Sequence, residues 1–227
     1  GREMNLDFAF HKMRIDTHRQ GINCGTAMDA TRVGTNLGSI GRERLKEYIS
    51  EYYEEMLAAH AAGHRGVGEE FQILEPGYTG YPNALRAPDS YHLFTGTDGS
   101  KAKATLTSTD KITAKTLQAL TGMAAKMLGG VKDGKPVKMQ KTRRGNKDLW
   151  VFVTMDEGVQ DLRNDTGTSG WFEAQKALIS AIGKDAEVFQ GGAGYIHGTI
   201  VDCTDTLPKF ADYGASGNVK AMRSLFC

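Results

Sequence analysis

Between Arg42 and Ala62 the chain repeats Leu45, Ile49, Tyr52, Met56 and Ala59 at steps of three and four, with Glu43, Glu47, Glu51 and Glu55 interleaved. Such steps gather the apolar residues on one face of an α-helix of about five or six turns. Gly63 follows, the residue that most readily ends a helix. A helix this long cannot cover its own apolar stripe, so the remaining sequence must supply a second body for it to lie on.

With 227 residues the chain can bury one sizeable core or two small ones. Thr109-Asp110 offers a side-chain cap for a second helix, whose Ile112, Leu117, Leu120, Met123, Ala124 and Met127 keep helical spacing as far as Gly129-Gly130. Asp148 to Thr154 is a continuous apolar, β-rich run, as in a strand buried on both sides. The next stretch, Met155 to Arg163, carries acids first and Arg last, the order a helix dipole favours. A further helix from Trp171 to Ile182 is expected to turn Phe172, Ala174, Leu178, Ile179 and Ile182 inward, and Tyr195 to Val201 reads as another strand. Near the start, Leu6, Phe8, Phe10, Met13 and Ile15 alternate closely enough to suggest a strand. Strands and helices in mixed order, without a repeating βα unit, predict an α+β fold. From His64 to Thr107 periodicity is lost, and so long a loop normally packs on something else. Both ends read as cut in mid-course, which predicts that these residues are a portion of a longer polypeptide.

The chemistry offered by the sequence is sparse. Lys plus Arg number 28 against 27 for Asp plus Glu, so no global field draws the chain to nucleic acid or an anionic membrane. Apolar runs such as Leu149 to Val153 are too short for a bilayer span of about 20 residues, so no membrane partner is expected. Cys24, Cys203 and Cys227 lack the spacing of a zinc site or a disulfide framework, and read as free thiols that pack as small hydrophobes. His60 and His64 have the four-residue spacing of helical metal ligands, but Gly63 lies between them and no Glu follows the first. A metal-dependent enzyme using this pair stands beside the plainer reading of a polar helix end. His197 lies among apolar residues, where a backbone-bonded core or edge histidine is the default. Gly191-Gly192-Ala193-Gly194 precedes a strand, whereas a dinucleotide loop follows one, so a tight turn is expected. No nucleophile elbow, phosphate loop or zinc-protease helix occurs, and no catalytic residue, metal or cofactor is expected.

Two surfaces remain. The loop aromatics Tyr78, Tyr81, Tyr91 and Phe94 are candidate interface anchors, the alternative being a loop folded back on its own domain. Lys141, Arg143, Arg144 and Lys147 surround Gly145-Asn146. Arg143 and Arg144 are candidates for a subunit contact, and Lys141 and Lys147 for non-specific contact with DNA phosphates. No aromatic residue is interleaved for base stacking, so a solvated hairpin or a salt-bridging contact fits the pattern better.

Larger blocks of sequence carry a resemblance. Arg14-Ile15-Asp16, Gly25-Thr26-Ala27-Met28-Asp29-Ala30-Thr31-Arg32, Arg42-Glu43-Arg44-Leu45 and Ala58-Ala59-His60-Ala61-Ala62-Gly63 come first. Leu149-Trp150-Val151-Phe152-Val153, Gln160-Asp161-Leu162-Arg163-Asn164-Asp165, Trp171-Phe172-Glu173-Ala174-Gln175-Lys176-Ala177 and Phe189-Gln190-Gly191-Gly192-Ala193-Gly194-Tyr195-Ile196-His197-Gly198 follow. In this order they resemble the major capsid proteins of schitoviruses and related tailed phages, leaving Arg65 to Thr107 uncovered. The resemblance implies an HK97-like capsid fold, with a spine helix in a peripheral domain and a mixed sheet with flanking helices in an axial domain. It divides the chain into 1–34, the end of an extended loop and a lead-in strand; 35–108, the peripheral domain with its spine and a long loop or insertion; 109–215, mainly the axial domain; and 216–227, the start of a strand returning to the peripheral domain. It also implies a non-enzymatic shell protein of the virion, assembled in the host cytoplasm as hexamers and pentamers around double-stranded DNA, with decoration, portal or scaffolding proteins as partners. An encapsulin-type nanocompartment of the same fold is the nearest alternative.

Overall fold

Asn36 sets where the long helix begins: its side chain accepts the backbone N–H groups of Gly38 and Ser39, satisfying donors that a helix start leaves open. The computed structural model of the protein describes residues 12–34, 36–88, 92–126, 131–132, 135–136, 139–144, 147–167, 169–182 and 194–227. A short helix α1, Ala27–Val33, precedes the spine helix α2, Leu37–Ala62. Helix α2 starts five residues before the apolar repeat because the cap at Asn36, rather than apolar spacing, fixes its first turn. Its end falls where expected. Gly63 adopts φ 70°, and a Cβ there would lie 2.1 Å from the Arg86 carbonyl oxygen, so only glycine fits.

The anticipated strand at 6–15 lies partly outside the described residues. The part that is described, from Lys12 to Ile15, belongs to no strand, and Met13 and Ile15 are exposed. This segment runs along α2 instead. Arg14 exchanges two hydrogen bonds with the Asn83 side chain, and the His18 ring stacks on Tyr52 at 3.9 Å. Cys24 sits against Gly41 of the helix.

Residues 71–85 fold back on the spine. Phe71 and Leu74 bury against Tyr52, Ala58 and Ala59, with Met56, Ile73, Tyr78, Tyr81 and Leu85 packed around them. The turn Lys103–Thr105 is the one regular element of residues 64–107 among the described residues.

Helix α3, Ala114–Ala125, starts later than Thr109-Asp110 suggested. Its cap is the reciprocal pair Thr113 and Thr116, and Asp110 instead accepts from the Thr107 N–H and hydroxyl to close a turn. Two short ladders follow: β1, Val131–Lys132, with β2, Lys135–Pro136, and β3, Thr142–Arg144, with β4, Lys147–Thr154. Helix α4 is Asp156–Arg163 and α5 is Trp171–Ile182, as the sequence indicated. The inward face of α5 needs correction. Phe172 is exposed, while Trp171 and Gln175 are buried. Gln175 turns inward because its amide bonds the Tyr195 carbonyl at 2.8 Å and its oxygen accepts the Tyr195 N–H.

The single strand expected at 195–201 is a hairpin. Strand β5, Gly194–Ile196, and β6, Thr199–Cys203, are antiparallel, turned at His197 (φ 49°) and Gly198 (φ 76°). Two successive positive φ values are the backbone of a tight hairpin turn. Strand β7, Lys209–Tyr213, pairs with β8, Val219–Met222, and β9, Leu225–Phe226, joins the main sheet. That sheet has the order β3-β4-β6-β5, with β9 also on β4; β4 and β6 are parallel and the other pairs antiparallel. Ala114, Leu117, Phe152, Leu162, Trp171, Ile196 and Val201 form the core between the sheet and helices α3 to α5. Asp165 ties the layer together, accepting N–H groups at the starts of both α3 (Ala114, 2.8 Å) and α5 (Trp171, 3.4 Å).

Candidate subunit-interface surfaces

Tyr78 and Tyr81 meet edge to face at 5.0 Å, and Tyr81 meets His60 of the spine in the same way at 5.9 Å. Both tyrosines are half-buried in their own subunit, so the fold already uses them as packing against α2. The Tyr81 hydroxyl is buried and has no hydrogen-bond partner among the described residues, and burial pushes its pKa up. Tyr52 beneath them is pushed up as well, chiefly by burial and then by the Tyr78 hydroxyl. Tyr91 lies outside the described residues. Phe94 is half-buried over Gly99 and, with Leu93, Leu120, Met123 and Phe226, lines a cleft of about 1130 Å³.

Several charges around this cleft pair with one another. Lys101 pairs with Asp110, Lys111 with Asp161 at 3.3 Å, and Lys209 with Glu70 at 2.8 Å and Glu157 at 2.6 Å. The Lys101 ammonium, then the Thr107 N–H, lower the pKa of Asp110. Lys209 likewise lowers Glu157. Arg223, on the same cleft, donates to the Ala62 carbonyl at 2.8 Å and lies over Phe210, fastening the end of the spine to the β7–β8 ladder. These groups are engaged in holding elements together rather than converging on a reactant.

The histidines are dispersed in the same way. His60 packs on Tyr81, whereas His64 accepts the Gly66 N–H at Nδ1 (2.7 Å) and leans on Phe210. The two side chains thus face different neighbours. His197 is exposed at the hairpin turn, which replaces the core or edge position read from the sequence. Among the described residues no group of three His, Cys, Asp or Glu side chains is placed to hold a metal ion.

The basic hairpin is antiparallel as its turn residues implied, with Arg143 opposite Asp148 and Arg144 opposite Lys147. Lys141 and Arg143 are exposed, and the Lys141 ammonium lies 5.5 Å over the Trp150 ring. The side chains of Arg144 and Lys147 are not described.

One surface escaped the sequence reading. On α2, Ile49 (36 % exposed), Tyr53 (62 %) and Leu57 (72 %) form an apolar ridge at four-residue steps, on the flank away from Tyr52, Glu55 and Ala59. Ile49, which the spacing had put on the packed stripe, is exposed instead and starts this ridge, and Tyr53 and Leu57 continue it at four-residue steps.

A long helix fastened to a sheet domain, with an apolar ridge left outward, defines the class of fold. The comparisons give that class a family. The chain belongs to the phage capsid protein family, whose model, described as "Phage capsid protein", matches residues 1–224. Its fold is the α+β, HK97-like one: it superposes on a solved capsid of Ralstonia phage GP4 with a TM-score of 0.74 and 30 % identity, over 89 % of this chain. The match covers 54 % of that chain, so the residues described span about half the length of the similar capsid protein. No curated protein matches the sequence.

Proposed function

We propose that this chain is a portion of a major capsid protein that self-assembles into the icosahedral head shell enclosing phage double-stranded DNA. The observation that carries the reading is the agreement of a whole-chain capsid family match with a capsid fold at 30 % identity. It is a structural protein of the virion, without an enzymatic role, put together in the host cytoplasm from hexamers and pentamers. Scaffolding, portal or decoration proteins are its expected partners. The two apolar clusters support a division near residue 108: one lies within 52–85 and the other within 112–226. Residues 35–108 then form the peripheral part, 109–215 mainly the axial part, and 216–227 the return toward the spine, to which Arg223 is bonded.

A closed shell needs contacts between unlike surfaces of one subunit. Tyr78, Tyr81, Tyr91, Phe94, Arg143 and Arg144 are our candidates for these, and Lys141 and Lys147 for contact with phosphates. Negative-stain microscopy of the full-length protein, purified from phage-infected or expressing cells, tests the reading. Shells of uniform diameter are expected. A monodisperse subunit that never forms particles under any assembly condition refutes it.

A further inference from the structure

Counting around α2 at about 100° per residue divides its side chains into two sets. Gly41, Tyr52, Glu55, Ala59 and Ala62 turn toward the rest of the subunit and are buried. On the opposite side Arg42, Lys46, Ile49, Tyr53 and Leu57 fall in one line, and all of them are exposed. Glu54, three residues before Leu57, stands beside this line and accepts a hydrogen bond from the Thr204 hydroxyl at 3.2 Å. Asp202 and Asp205, on either side of Thr204, are exposed as well. Glu43 flanks the basic end, whereas Glu47 points away and pairs with Arg44 at 2.9 Å.

The outward face thus carries two cations in its first half, an apolar middle, and acids beside its second half. Lys46 and Glu54 are eight residues apart, roughly 12 Å along one helix, too far to pair within it. Turned end for end and laid on a copy of itself about an axis at Tyr53, the face becomes its own complement. Ile49 then lies over the partner's Leu57, and Tyr53 over the partner's Tyr53. Lys46 comes within about six residues, roughly 9 Å along the axis, of the partner's Glu54 on the same side, a gap that two long side chains span. Parallel packing would instead set Arg42 and Lys46 against their own copies, a like-charge arrangement that opposes contact. A patch that complements itself is what a two-fold contact requires, and an icosahedral shell has two-fold axes.

We infer that two copies of the subunit pack their α2 helices antiparallel through Ile49, Tyr53 and Leu57, with Lys46 of each beside the partner's Glu54. The inference rests on the shell reading above and assigns its like-with-like contact. Opposite charges fix the antiparallel sense, and the ridge supplies the dry centre.

Disulfide trapping in assembled full-length protein tests it. Tyr53→Cys puts a thiol beside its own copy across the axis, so mild oxidation should link most of these subunits into dimers, above any background from Cys24, Cys203 and Cys227 in the unmodified protein. Lys46→Cys should not link, because the two thiols would lie fourteen residues apart along the pair, roughly 21 Å. Lys46→Glu and Glu54→Lys should each raise the protein concentration needed for shell formation severalfold, and both changes in one chain should restore it, since the pair is kept with its signs exchanged. Thermal melting of unassembled subunits separates a folding defect from an assembly defect. Where Tyr53→Cys subunits do not assemble, a mixture of Ile49→Cys and Leu57→Cys subunits should link to one another in preference to themselves. Shells in which Tyr53→Cys subunits stay monomeric overturn the inference, and protection of that thiol from alkylation would then give the ridge to another segment or to a decoration protein. Equal linking by Lys46→Cys overturns it too. Absence of shells from the unmodified protein would instead count against the capsid reading itself, and the same oxidation in solution then decides whether the two-fold contact exists.

Discussion

The spine region and the sheet region bury chain by different means. Around the sheet, Leu117, Phe152, Leu162 and Val201 interlock as an apolar layer, and helices α3 to α5 lie on it directly. Gly158 marks how close that approach is, since a Cβ there would fall 2.1 Å from the Thr154 hydroxyl. Beside the spine, an irregular loop must be held without strands or helices to absorb its backbone polar groups. Two buried charged side chains do this. Glu55 accepts the N–H groups of Gln72 (2.7 Å), Ile73 (3.0 Å) and Leu74 (2.7 Å), and Arg65 donates to the carbonyls of Gly68, Phe71 and Leu74. A buried polar group costs little when its bonds are complete and much when one partner is removed. The difference teaches that loop and sheet should fail in different ways.

The largest expected effect is in the sheet. Phe152→Ala should lower the unfolding free energy of the subunit by about 3–5 kcal/mol, because a side chain 4 % exposed is replaced by a cavity. Denaturant unfolding of unassembled protein measures this, and a loss below about 1 kcal/mol would show that the layer is not packed as described. Glu55→Gln should cost less overall, about 1–3 kcal/mol, but locally it should release the loop. Hydrogen exchange at Ile73 and Leu74 is expected to quicken while the amides of β4 and β6 keep their protection. Equal acceleration in both regions would erase the contrast.

The smallest effect is electrostatic. Asp110 is held below its ordinary value of 3.8 by Lys101 and by the Thr107 N–H. Its contribution is therefore complete above that value and fades as pH falls through the lower folded-state pKa. Asp110→Asn should lower stability by a constant amount through the neutral region, where the contribution is complete, and flatten the acid limb, so that the two proteins converge below the folded-state pKa. A changed slope near neutrality would place the effect elsewhere.

How much of this could be read in advance depended on whether the determinant was local. Helix α2, α4, α5 and strand β4 were legible because periodicity, dipole order or a β-rich run lies within each segment. Phe172 was placed inward because a helix face one residue out of register satisfies spacing nearly as well; the Gln175–Tyr195 bonds, twenty residues apart, select the true face. The His197-Gly198 turn was hidden inside an apolar run that reads as one strand, and positive φ at a histidine leaves little trace in sequence. The candidate surfaces were legible in composition only. Nothing in the spacing of Tyr78 and Tyr81 announces that they fold onto their own helix, nor does the apolar repeat of α2 disclose its outward ridge.

Strand β9 sets a timetable. It covers Phe152 and Val153 on β4, with Phe226 stacked on Trp150, so about seventy residues must be synthesised after β4 before that edge is closed. Until then a nascent chain shows two adjacent unpaired backbone positions beside bare aromatic surface, an invitation to neighbouring chains on the same polysome. Closure of this edge therefore waits until residue 226 has been made.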